Sequence, residues 1–432
     1  MTATPRSRTG SRRVFFGWWI VVASAGIQML QAGLLQQAYG AYVSVLLNEF
    51  GWSKTALSLG SSLEPVQSGL LGPIQGWMID HWGPRRVMRT GMLMFGGGFI
   101  LFSRIDSLIE FYGVFILMAV GSSLAGFMSI TTTLVQWFER RRATAMSLSQ
   151  TGMSVGGMLV PVVAWSLATY GWRQTAFVSG IIILALGLPL TQVMRTNPEQ
   201  YGLRPDGAPP DALSPRGNTM VESTGDAITR VDFTPREALH TRAFWLISFG
   251  HASALLVVSA VMVHLILYLE QSRGFSLGSA ATVVAVLTLV TALGQIAGGF
   301  LGDRFAKRKI AALAMFGHSA GLLALAWGDA FAWVVVFTLA HGTAWGMRGP
   351  LMQAMRADYF GRRHFGTIMG FSSLVINVGM VSGPLIAGAM ADHFGNYEYG
   401  FTLLAIFAAL GSIFFVFATP PPPPTRHGDG YI

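Results

Sequence analysis

The chain has 432 residues, of which 52% are apolar and only 11% charged, with 52 glycines, no cysteine and a formal net charge of +9. A soluble globular domain carries about a quarter charged residues, so this chain lacks the polar surface to face water all round. Disulfides and thiolate metal sites are excluded, and the nine histidines show no zinc-like spacing, so no metal or other cofactor is expected.

A helix that crosses a bilayer needs roughly 20 predominantly apolar residues. The apolar blocks predict spans near 17–47, 53–79, 87–105, 110–136, 144–169 and 174–194, then near 243–269, 278–302, 310–328, 330–355, 365–390 and 398–419. The first block lacks a cleavage signature and is followed by eleven more, so it reads as a span rather than a secretory signal. The pattern predicts an all-α membrane protein: twelve transmembrane helices in two six-helix bundles. An arm at 1–15 precedes the first bundle (16–195). A Pro-, Gly- and Asp-rich linker (196–240) joins it to the second (241–419), and a tail (420–432) follows. Inside the linker, Thr234 followed by Pro235 and by Glu237 predicts a short capped amphipathic helix at the membrane surface. The proline run 420–424 ends the helical region.

With the N-terminus in the cytoplasm, most of the 29 Lys and Arg fall on inner segments. They are Arg6, Arg8, Arg12 and Arg13; Arg85, Arg86 and Arg89; Arg140, Arg141 and Arg142; the linker arginines; and Arg304, Lys307, Arg308, Lys309, Arg356, Arg362, Arg363 and Arg426. The outer loops hold Lys54, Arg104, Arg173 and Arg273. This is the positive-inside distribution, and it places both termini in the cytoplasm of a cell-membrane protein. Scattered basic loops of this kind do not suit a nucleic-acid surface. The expected partners are the lipid bilayer and a small solute, and the chain is expected to act as a monomer.

The two halves repeat. Gly76-Trp-Met-Ile-Asp80-His81-Trp-Gly-Pro-Arg85-Arg86 follows span two, and Gly299-Phe-Leu-Gly-Asp303-Arg304-Phe-Ala-Lys-Arg308-Lys309 follows span eight, an offset of about 223 residues. Trp137-Phe138-Glu139-Arg140-Arg141-Arg142 and Tyr359-Phe360-Gly361-Arg362-Arg363-His364 repeat at almost the same offset, as do Pro161 and Pro384. Two basic motifs sharing one offset point to duplicated, pseudo-symmetric bundles. Asp80 and Asp303 sit at helix ends beside dense positive charge. A carboxylate there can accept hydrogen bonds from Arg85, from Arg304 and Arg308, or from free backbone N–H groups of a neighbouring helix, and so hold one face closed in one state. Plain topology signalling is the alternative.

These motifs resemble the major facilitator superfamily, whose loop between spans two and three carries the Gly-x-x-x-Asp-basic pattern. Asp303-Arg304 keeps it, and the first copy has His81 at the basic position. Phe16-Gly17-Trp18-Trp19, the Trp137-Phe138 to Thr151-Gly152 segment and Asp358-Tyr359-Phe360-Gly361 are similar to the monocarboxylate and oxalate/formate transporter branch. The resemblance implies alternating-access transport. It does not deliver a substrate. The Asp and Arg that the branch often places in span eight are missing, span eleven has no interior Lys or Arg, and no acid precedes Gly17.

Ionisable residues deep in a span default to function. Arg348, in span ten among glycines and before Pro350, is the main candidate: a guanidinium without a nearby acid suits a substrate carboxylate. Placed seven residues from the inner end of 330–355, it can alternatively snorkel to the rim. Glu64, in span two before Pro65, is a candidate protonation site, or the internal partner of Arg348. Gln28, Gln31 and Tyr39 share a face of span one and either line a cavity or bond helix to helix. His251 in span seven and Asn377 in span eleven are further candidates for the substrate site. The reading is a non-enzymatic carrier of small organic anions, monocarboxylates first, with protons as a candidate second partner. An exporter of amphipathic, drug-like compounds is the alternative, suggested by the 12 Trp and 29 Phe.

Overall fold

A computed structural model describes residues 14–208, 221–223, 226–228 and 232–424. The side chains at 54–55, 58, 60–66, 221–223, 226–228, 277 and 281 lie outside the described set. Twelve long helices follow one another: α1 Phe16–Phe50, α2 Lys54–Trp82, α3 Pro84–Phe102, α4 Leu108–Trp137, α5 Arg142–Tyr170, α6 Trp172–Val193, α7 Arg242–Gln271, α8 Leu277–Arg304, α9 Lys307–Trp327, α10 Phe331–Phe360, α11 Phe365–Phe394 and α12 Glu398–Phe417. In hydrocarbon every backbone N–H and C=O needs an internal partner, and a helix supplies it within one segment. Among the described residues nine of the twelve are long and apolar enough to cross a membrane by composition alone. The others are α2, α3 and α10. The last two carry the charges that matter below: Arg85, Arg86 and Arg89 on α3, Arg348 and Arg356 on α10.

Helix ends follow local chemistry. Gly83 has φ 79°, a left-handed value that L side chains avoid, and Pro84 opens α3 directly behind it. Gly361 (φ 81°) separates α10 from α11 in the same way. α1 loosens into a π-turn at Ala32–Gln36, and α6 does so at Ile183–Gly187. In the linker, Thr234 and Glu237 form a reciprocal capping box on the short helix Pro235–Leu239, as the sequence predicts. A short antiparallel ribbon pairs Val221–Ser223 with Asp226–Ile228.

Packing divides the helices into two sets. α1 packs on α5 and α3 on α4 and α6; in the second set α7 packs on α11 and α12, and α10 on α8 and α9. Two extensive contacts cross between the sets, α2 with α11 and α5 with α8. Shifting each helix by half the chain turns one contact into the other, which is the packing signature of a pseudo-two-fold axis. Small residues set the spacing. Gly152 of α5 lies directly on the Ala25 backbone of α1, and Gly76 of α2 lies on the Gly366 carbonyl of α11. The outer surface is apolar: Leu70 on α2, Leu293 on α8 and Phe316 on α9 are all more than half exposed, as lipid contact requires.

Four boundaries differ from expectation, always because a charged residue hid a helical turn. α3 begins at Pro84 rather than near 87, and α5 at Arg142 rather than near 144. α9 begins at Lys307, so its basic cluster is helical rather than a loop. α10 continues past 355 to Phe360, so Arg356, counted above among inner-loop charges, is a fully buried helical residue, and so nearly is Asp358.

The close approach at Gly152 makes a direct prediction. Gly152→Leu must displace the Ala25 backbone and should cost about 1–3 kcal/mol by overpacking. It should lower the apparent melting temperature in detergent clearly. Gly97→Ala on α3, where an added Cβ meets nothing within 4 Å, should leave that temperature within error.

Candidate functional site

His341, Arg348 and Arg356 recur on α10 at helical spacing, so they fall on one face. Arg348 is 1% exposed, and its Nε and Nη1 are buried with no hydrogen-bond partner. Among the described residues no carboxylate lies within salt-bridge distance of it. Because α10 runs to Phe360, Arg348 stands twelve residues from that end, about 18 Å along the axis. Arg348 thus lies deeper in its helix than the sequence boundary places it, and its side chain is enclosed by the bundle. Pro350 sits inside the continuous helix and removes the N–H that would bond the Gly346 carbonyl.

Arg356, two turns further, is also buried, with no carboxylate in salt-bridge distance among the described residues. Its Nη1 donates to Met352 O at 3.3 Å and Gln353 Oε1 at 3.4 Å, and its Nη2 meets His251 Nδ1 at 3.2 Å. A guanidinium only donates, so His251 accepts there and carries its own proton on Nε2. In the outer direction His341 meets His318 of α9, Nδ1 to Nδ1 at 3.0 Å, both rings fully buried. The second bundle therefore encloses a stripe of basic groups with no acid beside it among the described residues.

The other expected site residues spread out. Gln28 Nε2 donates to Ser149 O of α5 at 2.9 Å, Gln31 Nε2 to Ser122 O of α4 at 2.8 Å, and Tyr39 Oη to Leu57 O of α2 at 2.5 Å. The structure thus shows the helix-to-helix bonds, with both glutamines buried inside the first bundle. Asn377 donates to Ser373 O of its own helix at 2.8 Å and packs on Gly69 of α2, where the two bundles touch. The side chain of Glu64 lies outside the described residues.

The face nearest the termini holds a duplicated clasp. Asp80, at the end of α2, accepts from Gly366 N (3.1 Å), Thr367 N (2.8 Å) and Thr367 Oγ1 (2.6 Å) at the start of α11. Asp303, at the end of α8, accepts from Ala143 N (2.9 Å) and Thr144 N (3.0 Å) at the start of α5. Each carboxylate thus takes the free N–H groups and the positive dipole end of a helix in the opposite bundle. Arg85 and Arg308 are not its partners. Arg85 donates to Gln192 O at the end of α6, and Arg308 to Val416 O at the end of α12 at 3.0 Å. Each caps a helix C-terminus within its own bundle. Arg304 is exposed.

Further cross-bundle contacts lie at the same face, none of them legible as such in the sequence. Asp358 of α10 pairs with Arg142 of α5, and with Lys307 of α9 at 2.9 Å. Gln136 Nε2 donates to Arg362 O at 2.8 Å, and Arg362 Nη1 returns to Gln136 O at 2.9 Å. Deeper, Ser147 Oγ donates to Gln295 O at 2.6 Å, and Gln295 Nε2 to Gln150 Oε1 at 2.8 Å. Two linker carboxylates cap the repeated basic loops: Asp206 accepts from Glu139, Arg140 and Arg141 N, and Asp232 from Arg362 and Arg363 N. The described bonds between bundles gather in the half of the molecule nearest the termini.

Comparison with known proteins agrees with this architecture. The Major Facilitator Superfamily model matches residues 14–349 and 247–430, and the chain belongs to that superfamily. It is 25% identical over 344 residues to a probable hexose phosphate transport protein of Chlamydia trachomatis, covering 76% of this chain and 75% of that protein. It is 26% identical over 404 residues to monocarboxylate transporter 13 of Rattus norvegicus, covering 92% and 88%. The fold matches the fucose:proton symporter FucP in the outward conformation with a TM-score of 0.68 at 17% identity, over 94% of this chain and 98% of that one. The protein is a multi-pass membrane transporter of small solutes, not an enzyme.

If the clasp holds this face shut, removing both carboxylates opens it. The chain has no native cysteine, so Ser373→Cys, buried on α11 against Gly72, is a clean reporter. Asp80→Ala with Asp303→Ala should raise its maleimide labelling rate about tenfold or more, the worth of one or two charge-assisted hydrogen bonds. An unchanged rate contradicts the clasp.

Proposed function

We propose that this member of the Major Facilitator Superfamily is a secondary carrier for a small organic anion, a monocarboxylate first, bound at Arg348. One observation carries the reading: a buried guanidinium with two unpartnered nitrogens and no carboxylate beside it among the described residues. An unpaired ion inside a bundle costs several kcal/mol, and a substrate carboxylate in bidentate contact offsets that cost each time it binds. Two relatives, a monocarboxylate transporter and a probable hexose phosphate transport protein, are both named for anionic cargo, which supports the class. Membership of the monocarboxylate and oxalate/formate branch is part of this proposal. Arg356 adds a second buried guanidinium on the same face, which offers a second negative charge on the substrate a partner.

On this reading the basic, termini-bearing face is cytoplasmic. With the Asp80 and Asp303 clasps made, the molecule is shut on that side and takes substrate from the other. Binding and release alternate by rocking the two bundles across the α2–α11 and α5–α8 contacts. The capping bonds of the clasps break in the inward-facing state, as do the Gln136–Arg362 and Arg142–Asp358 contacts. A monomer suffices for this cycle, and protons are its candidate coupling ion.

Uptake into proteoliposomes tests it, with lactate, pyruvate, acetate, an aromatic acid, oxalate and a hexose phosphate, each with and without an inward proton gradient. Arg348→Gln should lower kcat/KM for the transported anion about 100-fold, the worth of two charge-assisted hydrogen bonds. Arg348→Lys keeps the charge but loses the fork and should fall between. Saturable uptake that survives Arg348→Gln contradicts the site. A folded protein that moves none of these anions returns the weight to an exporter.

A further inference from the structure

The anion site leaves a buried pair unexplained. His318 of α9 and His341 of α10 are both 0% exposed, with ring centroids 4.5 Å apart and planes at 70°. Their Nδ1 atoms are 3.0 Å apart, and that contact is a hydrogen bond only if one Nδ1 carries a proton and the other does not. In the neutral pair, the ring with the protonated Nδ1 therefore has a bare Nε2, and its partner carries a proton on Nε2. Both Nε2 atoms are buried without a partner. The pair thus holds one vacant acceptor and one unused donor. A third proton enters at the bare Nε2, keeps the Nδ1–H···Nδ1 bond, and leaves one positive charge on two linked rings.

The surroundings decide when that proton is tolerated. On α10, Arg348 lies two turns along the same face, with Arg356 beyond it. From α7 comes His251, itself bonded to Arg356. Along α9 the other charges are Lys307, Arg308 and Lys309 in its first turn, at the termini-bearing face. α8 contributes only Asp303 and Arg304 at that same face, and α12 only Glu398 and Tyr399 at its opposite end. Asp358 is engaged by Arg142 and Lys307. Arg348 is the cation two turns from His341 on that face. While Arg348 is bare it repels a third proton on the pair. A bound anion cancels that repulsion.

We infer that the His318–His341 pair is the proton-binding site of this carrier, loaded together with the anion that Arg348 takes. The inference rests on the anion reading above. Proton and anion then cross as an electrically neutral load, and by reciprocity each raises the affinity for the other.

Two measurements test it. Purified wild type in weak buffer with a pH-indicator dye should take up about one proton per lactate, pyruvate or hexose phosphate bound. His318→Gln and His341→Gln should each bring that number near zero. In proteoliposomes the same variants should raise the ratio of anion exchange to gradient-driven accumulation about tenfold, because exchange needs no net proton movement. Wild type that binds an anion with no proton uptake overturns the pair as the site and leaves the anion reading standing. Variants that keep the wild-type stoichiometry overturn it in the same way. Wild type that binds none of these anions sinks both readings together. The wild-type dye measurement needs no variant and stands even if the substitutions prevent folding.

Discussion

A guanidinium buried in a helix bundle, with no acid beside it among the described residues, is the constraint around which the second bundle is arranged. Arg348 is flanked by glycines and Pro350 on its own helix and lies twelve residues from the helix end, and among the described residues no carboxylate relieves its charge. Burying such an ion costs several kcal/mol, which the apolar packing of the second bundle must carry while the site is empty. On the proposed reading an arriving anion removes that cost, so binding energy is large where it is needed. His341 on one side and Arg356 on the other lie on the same face, and the contact of His251 with Arg356 ties α7 to it.

The second constraint is that the site must open to one side at a time. The repeat answers it with two equivalent clasps. Asp80 and Asp303 are held by backbone N–H groups at helix N-termini, not by long side chains. Backbone donors have no rotamers to lose, so in the proposed cycle the contact is sharp: it exists when the helices are docked and is lost when they rock apart. Each charge-assisted bond nets about 1.5–3 kcal/mol, comparable with the few kcal/mol that separate two working conformations. Arg85 and Arg308 instead fasten α6 and α12 within their bundles. The division of labour keeps each bundle rigid while the interface stays breakable.

Much of this was legible in the residues. Long apolar blocks and basic loops fixed the number of helices, and the offset between Asp80 and Asp303 announced the duplicated clasp, including the possibility of backbone donors. The partner of each carboxylate was open because Gly366 and Ala143 lie far away in sequence, and bare N–H groups carry no sequence mark. The end of α10 was misplaced because hydropathy falls at Arg356 and Asp358, although both are buried. The same error made Arg348 look close to the rim. Gln28 and Gln31 looked like a cavity stripe because amides on one face have the same spacing whether they bond substrate or a neighbouring carbonyl. His318 and His341 passed unnoticed since each alone is an ordinary interior histidine. Only the packing of α9 on α10 brings the rings together.

The most direct test of the central claim is thermal unfolding of the purified protein in an anion-poor buffer while a small carboxylate is titrated in. A ligand that binds only the folded state stabilises it by an amount that grows with the logarithm of its concentration. If Arg348 is an anion site that stands empty at a cost, a transported carboxylate should raise the melting temperature saturably, and Arg348→Gln should start from a higher baseline and not respond. A wild type indifferent to every organic anion, or an Arg348→Gln protein that responds just as strongly, would contradict the account.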